Sequence, residues 1–198
     1  MSEFKPTITK EEINQLPLAS FDGPVVVVDN VELLNETIGI LSKQKVVGFD
    51  TETKPVFAKG KKNKVALLQI ATDDTCYLIR LNLLGFTPPI IEFFNNPDIL
   101  KVGLSIKDDF MMLRARSAGL DPQGFIELQS FVKSFGIEDN SLQKIYAILF
   151  EKKISKSQRL SNWESEILTN GQQHYAALDA WACRKIYMAL TSISAVGL

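Results

Sequence analysis

The stretch of residues 46–52, VVGFDTE, decides the fold and carries its first chemical groups. The apolar run predicts a buried strand, which leads directly into the carboxylates of Asp50 and Glu52. Because side chains alternate along a strand, residues two apart lie on the same face. Two carboxylates on one face repel each other unless a cation lies between them. Oxygen ligands of this kind suit Mg²⁺ or Mn²⁺ rather than zinc, so the stretch predicts one wall of a hard-metal site.

Two further acidic patches lie downstream, Asp109 in KVGLSIKDDF (101–110) and Asp179 in HYAALDAW (174–181). Residues 169–190 are rich in alanine and other good helix formers, which predicts a helix. On that helix Tyr175 and Asp179 are four apart and therefore share a face. A phenol beside a carboxylate of a metal site can orient the attacking water or help to deprotonate it.

The rest of the chain predicts strands and helices in an α/β order. Predicted strands cover residues 25–28, 45–52, 65–72, 75–81, 99–104 and 125–128, and predicted helices cover residues 31–44, 88–94, 107–118 and a long stretch after Thr169, preceded by short helices. Hairpin-linked strands, followed by strands alternating with helices, favour a mixed central β-sheet flanked by α-helices. We expect residues 1–24 to be a weakly ordered leader and residues 25–198 to form one domain.

Composition indicates an ordinary globular protein, with 45% apolar and 23% charged residues among 198. The two cysteines, Cys76 and Cys183, form no CxxC pair, and we expect both to be reduced core thiols. No stretch approaches the ~20 apolar residues of a membrane span. The polar N-terminus does not resemble a signal peptide, so we expect no membrane contact and a cytoplasmic location.

The formal net charge of −1 argues against a protein that grips long duplexes by neutralising phosphates. Two basic clusters stand out against this balance. Residues 59–64, KGKKNK, join two predicted strands and fit a solvated loop as well as a phosphate contact. For the second cluster we favour phosphate contacts; it consists of Lys152, Lys153, Lys156 and Arg159.

Taken in order, these motifs resemble the DEDD superfamily of 3′–5′ exonucleases, in the tyrosine branch with ribonuclease D and the exonuclease domain of the Werner syndrome helicase. FDTET (49–53) resembles the first motif, VALLQIAT (65–72) the strand that follows it, and KVGLSIKDDFMML (101–113) the second motif. Residues 160–187 resemble the closing segment, in which LSNWE leads to Leu168, Gln173 and YAALDA. The resemblance covers about residues 25–190 and implies a ribonuclease H-like fold.

The resemblance also implies a set of roles for the acidic residues. Asp50, Glu52, Asp109 and Asp179 are expected to bind two divalent metal ions, Mg²⁺ or Mn²⁺. Asp50 bridges the two ions, Glu52 and Asp179 complete the site that activates water, and Asp109 supports the second ion. The family spacing selects Asp109 rather than Asp108. Tyr175 is the fifth catalytic residue, and the expected products are nucleoside 5′-monophosphates from a 3′ end.

His174 leaves an alternative open at the catalytic base. The string from His174 to Asp179 also fits HxAxxD, the pattern of the sister branch that uses a histidine. The surrounding SNWE, Leu168 and YAALDA resemble the tyrosine branch. We therefore assign the role to Tyr175 and place His174 on the helix surface.

The candidate substrate contacts are Thr51, Thr53, Phe110, Met111 and Arg159. Of Phe110, Met111 and Met112, which follow the second-motif acid, we expect at least two in the core and one against the terminal base. Trp163 resembles a family position and also fits a packing role. Ser105 departs from the pattern, because many family members carry Asn or another polar anchor there, which affects substrate positioning rather than the metal site.

Three function classes follow. The first is a DNA exonuclease, favoured by the likeness to the Werner-type domain, and the second is an RNA 3′-end trimming enzyme of ribonuclease D type. The third is a non-catalytic nucleic-acid scaffold, which the intact set of acids disfavours. The expected partner is nucleic acid, DNA or RNA, with a free 3′ end. The chain is expected to be an isolated catalytic module that acts alone, as a homo-oligomer or with a partner protein.

Overall fold

A computed structural model describes residues 4–56, 63–114, 117 and 119–196, with side chains to residue 193. Its centre is one six-stranded sheet of order β1-β4-β3-β2-β5-β6. The strands are β1 Val25–Val28, β2 Val46–Thr53, β3 Val65–Ala71, β4 Cys76–Ile79, β5 Leu100–Gly103 and β6 Phe125–Glu127. β3 is antiparallel to both β2 and β4, and the remaining neighbours are parallel. The predicted mixed sheet is therefore confirmed.

Helices cover both faces of this sheet. They are α1 Lys10–Gln15, α2 Val31–Leu41, α3 Leu81–Leu84, α4 Pro88–Asn95, α5 Ile106–Arg114, α6 Leu128–Phe131, α7 Leu142–Phe150 and α8 Asn170–Val196, with a 3₁₀ turn at Val132–Phe135. Asn30 caps α2, accepting a hydrogen bond from the Leu33 backbone N–H. α2 ends three residues before the predicted limit, and the predicted end of α5 lies partly outside the described residues.

Two apolar layers hold the helices to the sheet. On one face α8 crosses β2, β3 and β4, and α7 packs beside it. On the other face α2, α4 and α5 pack around Phe49 and its neighbours. Both cysteines are free and buried, as predicted for core thiols. The alternation of β2 therefore sends Phe49 and Thr51 towards one layer, and Gly48, Asp50 and Glu52 towards α8.

Residues 4–24 differ from the weakly ordered leader that the sequence predicted. Thr9 and Glu12 form a capping box that starts α1. Ile8 and Ile13 are buried against Ala147 of α7, and the Phe21 ring lies 5.5 Å from the Trp181 ring. Buried apolar side chains thus fix this segment to the rest of the molecule. The division between residues 1–24 and the domain at 25–198 stays a prediction.

Candidate metal centre

Strand β2 and helix α8 bring three predicted acids together. Carboxylate oxygens of Asp50, Glu52 and Asp179 all lie within 4.8 Å of one another. Oxygen ligands about 2.1 Å from Mg²⁺ are separated by at most about 4.2 Å, close to the spacing seen here. The three side chains therefore fit one hard divalent ion, and they offer it only oxygen.

Gly48 makes this approach possible. A Cβ atom at position 48 would lie 1.9 Å from the Ala180 carbonyl oxygen, so α8 contacts the bare backbone of β2. Asp50 lies two residues after Gly48 on β2, and Asp179 directly precedes Ala180 on α8. Arg184 also joins α8 to β2, because its Nε donates to the Val46 carbonyl oxygen at 3.1 Å. The close packing of backbone on backbone sets the distance between the two carboxylates.

The three acids do not ionise easily in this setting. Burial raises the pKa of Asp50 well above its ordinary value, and the neighbouring charges of Asp179, Glu52 and Asp109 raise it further. Burial and the neighbouring charges of Asp179 and Asp109 raise the pKa of Glu52 to about 8. Burial raises the pKa of Asp179 to about 7, although a hydrogen bond with Tyr175 opposes this. A cation between the carboxylates would offset their repulsion, as a metal site requires.

Asp109 reaches the site from the opposite layer. The Thr51 hydroxyl donates a hydrogen bond to its carboxylate. Burial raises the pKa of Asp109 to about 6, and the Thr51 hydrogen bond opposes the rise. Asp109 is not one of the three acids within 4.8 Å, but its charge reaches Asp50 and Glu52. The structure thus places Asp109 beside the cluster and joins Thr51, predicted as a substrate contact, to it by its side chain.

The start of α5 is held by a residue that the sequence did not single out. Glu127, at the end of β6, accepts hydrogen bonds from the backbone N–H groups of Ser105 and Ile106, both at 2.9 Å. Ser105 adopts a φ of 62°, in the left-handed region, and its hydroxyl accepts a hydrogen bond from Gln129. The position where the sequence departs from the family pattern is therefore a polar anchor of the helix that carries Asp109.

Tyr175 and His174 point to different environments. The Tyr175 side chain is half-buried, is hydrogen-bonded to Asp179 and lies 6.1 Å from the Trp163 ring. Burial and the nearby carboxylates raise the pKa of Tyr175, so the phenol is protonated at neutral pH. His174 is exposed, and its Nδ1 lies 2.7 Å from the Asn170 carbonyl oxygen. The tyrosine, not the histidine, faces the acids.

The second basic cluster divides into two parts. The positive charge of Arg159 opposes the rise in the pKa of Glu52, and that of Lys156 opposes the rise in the pKa of Asp179, so both cations lie near the acids. Lys153 is used elsewhere, because its Nζ donates to the Asn14 carbonyl oxygen at 2.6 Å. In the first cluster, residues 59–62 lie outside the described residues. The charge of Lys152 acts on Lys185 instead, so Lys156 and Arg159 are the exposed cations of the second cluster whose charges act on the carboxylates.

The remaining substrate candidates separate by burial. Phe110 packs between the rings of Phe49 and Phe125, and Met112 is half-buried in the same layer. Met111 is 56% exposed and lines an open cavity of about 410 Å³ together with Thr53. Two of the three side chains after Asp109 are therefore core, as expected.

Trp163 is a core residue beneath the catalytic tyrosine candidate. It is fully buried, and its ring lies beside that of Tyr175. The loop that carries it is held by Arg80, whose guanidinium donates to the carbonyl oxygens of Ser165 and Glu166. Its packing role thus fits the observed position.

Sequence reasoning missed Gly48 and Glu127. A glycine within an apolar strand was visible, but the pattern does not indicate which element packs against it. Glu127 carries no sequence mark, because its partners lie more than 20 residues away. These roles depend on tertiary contacts.

A mixed sheet with a carboxylate cluster at the crossing of β2 and α8 defines a metal-dependent nuclease domain of the ribonuclease H-like fold. The family model described as 3′-5′ exonuclease matches residues 25–194, so the chain belongs to the 3′–5′ exonuclease family. This is the family of DEDD-type domains that the motifs resemble, and it is metal-dependent. The tyrosine branch is consistent with the match.

Individual relatives agree with the family match. The chain is 31% identical to the mouse bifunctional 3′-5′ exonuclease/ATP-dependent helicase WRN over 203 residues, which cover 97% of this chain and 14% of that protein. The solved Aedes aegypti Nibbler EXO domain has a TM-score of 0.74 and 27% identity, covering 85% of this chain and 89% of that one. Trypanosoma brucei RNase D, solved with RNA U12, has a TM-score of 0.75 at 18% identity, with 85% and 62% covered, and shows the shared fold.

The chain spans less than half of the length of the first curated relatives that it matches. None of the described helices is both long and apolar enough to cross a membrane.

Proposed function

We propose that this protein removes nucleoside 5′-monophosphates one at a time from the 3′ end of a nucleic acid, with DNA as the preferred substrate. The observation that carries the proposal is the cluster of Asp50, Glu52 and Asp179, whose carboxylate oxygens lie within 4.8 Å. A cation between clustered carboxylates offsets their mutual repulsion, and hydrolysis of a phosphodiester needs positive charge at the scissile phosphate.

Two divalent ions, Mg²⁺ or Mn²⁺, are proposed as the cofactors. Asp50, Glu52 and Asp179 would hold one ion, and Asp50 with Asp109 would hold the second. When bound, the ions would neutralise charge on the attacking and leaving oxygens of an in-line displacement. Thr51 supports this arrangement, since its hydroxyl fixes the Asp109 carboxylate beside the cluster.

Tyr175 is proposed to orient the attacking water. Its protonated hydroxyl donates to Asp179, so its oxygen accepts a hydrogen bond from the water and holds the water lone pair towards phosphorus instead of removing the proton. Lys156 and Arg159 are proposed to contact the phosphates upstream of the terminal nucleotide, because they lie near the acids and are exposed. The backbone amides of Thr51 and Thr53, with Met111, are proposed to meet the terminal nucleotide.

RNA is the alternative substrate. The likeness to WRN, at 31% identity, supports DNA as the substrate. The fold shared with an RNase D solved with RNA supports RNA as the alternative. The two sugars differ at the 2′-OH, so contacts near the terminal ribose decide between them. A homo-oligomer or a partner protein, and the cytoplasmic location, stay predictions.

The assignment of the fourth acid is tested by a pair of neighbouring variants. Asp109 is half-buried beside the cluster, whereas Asp108 is exposed on the same turn of α5. Asp109→Ala should lower single-turnover cleavage of a 5′-labelled oligonucleotide by about 100-fold or more, as for loss of charge stabilisation at the transition state. Asp108→Ala should stay within about twofold of wild type, an effect below about 0.5 kcal/mol. Equal effects of the two substitutions would contradict the metal role of Asp109. Separately, chromatography of the wild-type products checks that nucleoside 5′-monophosphates are released.

A further inference from the structure

Gln69 is a fully buried amide in the middle of β3, where every residue of VALLQIA is buried. Neither its Nε2 nor its Oε1 has a hydrogen-bond partner among the described residues. Burying an amide without a partner is unfavourable, and an apolar side chain of similar size would avoid that loss. A buried amide without a partner therefore needs an explanation, and a functional role is one.

The register of the sheet places Gln69 beside the metal centre. Gln69 is directly opposite Asp50 in the antiparallel pair of β2 and β3. Side chains paired in this way share a face of the sheet, with Cβ atoms about 5 Å apart. On its other side Gln69 pairs with Leu78, which is buried and apolar. The amide is therefore directed into the space between the sheet and α8, next to the Asp50 carboxylate.

The surroundings of Gln69 offer few other polar groups. The layer between this face of β3 and α8 is built from buried apolar residues, including Leu67, Leu78, Ala180 and Cys183. A cysteine thiol is a weak hydrogen-bond partner. The Asp50 carboxylate is a strong acceptor.

We propose that Gln69 is a positioning residue, whose Nε2–H group donates to the Asp50 carboxylate when the metal is bound and directs its oxygens towards the metal. The inference rests on the proposed function, because it concerns the same metal centre. A carboxylate that holds a metal ion must keep its oxygens in a fixed orientation, and a hydrogen bond from a rigid strand would supply that constraint. Such supporting donors commonly change metal affinity by about 10- to 100-fold.

The test compares Gln69→Met with Leu67→Met. Both positions lie on the same face of β3, and Leu67 is paired with Glu52 as Gln69 is with Asp50. We expect Gln69→Met to weaken Mn²⁺ binding, measured by isothermal titration calorimetry, by about tenfold. Its kcat should fall while its KM for the oligonucleotide stays unchanged. Its melting temperature without metal should equal or exceed that of wild type, because the unpartnered amide is gone. Leu67→Met should keep the wild-type Mn²⁺ affinity.

A second measurement on the unmodified protein does not depend on the variant folding. The Gln69 side-chain NH₂ signals in a ¹⁵N–¹H correlation spectrum should shift on titration with Mg²⁺, with the midpoint measured for metal binding. Unchanged NH₂ signals, or wild-type Mn²⁺ affinity in a folded Gln69→Met variant, would overturn the inference and leave Gln69 as a structural amide. If wild type itself binds no Mn²⁺, the proposed function fails, which is a separate result.

Discussion

Tyr175 and His174 are neighbours in the sequence, yet one faces the acids and the other faces solvent. The Tyr175 hydroxyl is bound to Asp179, whereas His174 is bound to the carbonyl oxygen of its own helix. Sequence spacing left both readings open, because HxAxxD and the tyrosine pattern overlap. The direction of each side chain follows from how α8 is rotated on β2.

The two residues give a clear prediction. Tyr175→Phe removes the hydroxyl that orients water, so kcat should fall by about 100-fold or more with little change in KM. His174→Ala removes an exposed ring and should leave kcat within about twofold of wild type. Steady-state cleavage of a 5′-labelled oligonucleotide measures both variants. A large loss in His174→Ala with an active Tyr175→Phe would assign the protein to the histidine branch.

At the scale of elements, the contact between α8 and β2 determines whether a metal centre forms. Position 48 is where a side chain cannot fit, since a Cβ atom would overlap the Ala180 carbonyl oxygen. Gly48→Ala should force α8 away from β2, destabilise the fold by about 2–3 kcal/mol and weaken Mn²⁺ binding by separating Asp50 from Asp179.

Gly39 provides the matched control for this prediction. It lies within α2, and a Cβ atom there would meet nothing within 4 Å. Gly39→Ala should stabilise the protein by about 0.5–1 kcal/mol, because alanine is the better helix former, and should leave Mn²⁺ affinity unchanged. Denaturant unfolding and calorimetry measure the two effects. Wild-type Mn²⁺ affinity in Gly48→Ala would contradict the account of the α8–β2 contact.

The sequence predicted elements better than it predicted contacts between them. Apolar runs and turn residues located all six strands to within about three residues, because buried strands need such runs. α1 was missed, since its burial depends on Ala147, more than 130 residues away. For the same reason the roles of the acids could be predicted from their motifs, whereas Gln69 and Glu127 required the sheet register and the start of α5.

At the scale of the whole molecule, the buried carboxylates couple metal binding to stability. The pKa of Glu52 rises from 4.5 to about 8 on folding, so the folded protein holds a proton that the unfolded chain releases between these values. The contribution of Glu52 to the free energy of unfolding is fully present below pH 4.5 and is lost as the pH rises towards 8. The pKa values of Asp50, Asp109 and Asp179 are raised in the same direction.

This coupling predicts opposite pH trends with and without metal. In EDTA the free energy of unfolding should fall by on the order of 2 kcal/mol between pH 5 and pH 8. The stabilisation on adding Mn²⁺ should grow over the same range, because metal binding no longer has to displace protons. Glu52→Gln should flatten the decline in EDTA, as measured by denaturant unfolding. A decline that persists unchanged in Glu52→Gln would show that Glu52 titrates normally.

The most direct test of the central claim is cleavage of matched 5′-labelled single-stranded DNA and RNA with Mn²⁺, Mg²⁺ or EDTA, beside an Asp50→Ala control. We expect a ladder that shortens from the 3′ end, requires the metal, is lost in Asp50→Ala and is stronger on DNA. A ladder that persists in EDTA or in the Asp50→Ala variant, or no cleavage of either strand with metal bound, would contradict the assignment of the metal centre as the site of 3′–5′ hydrolysis.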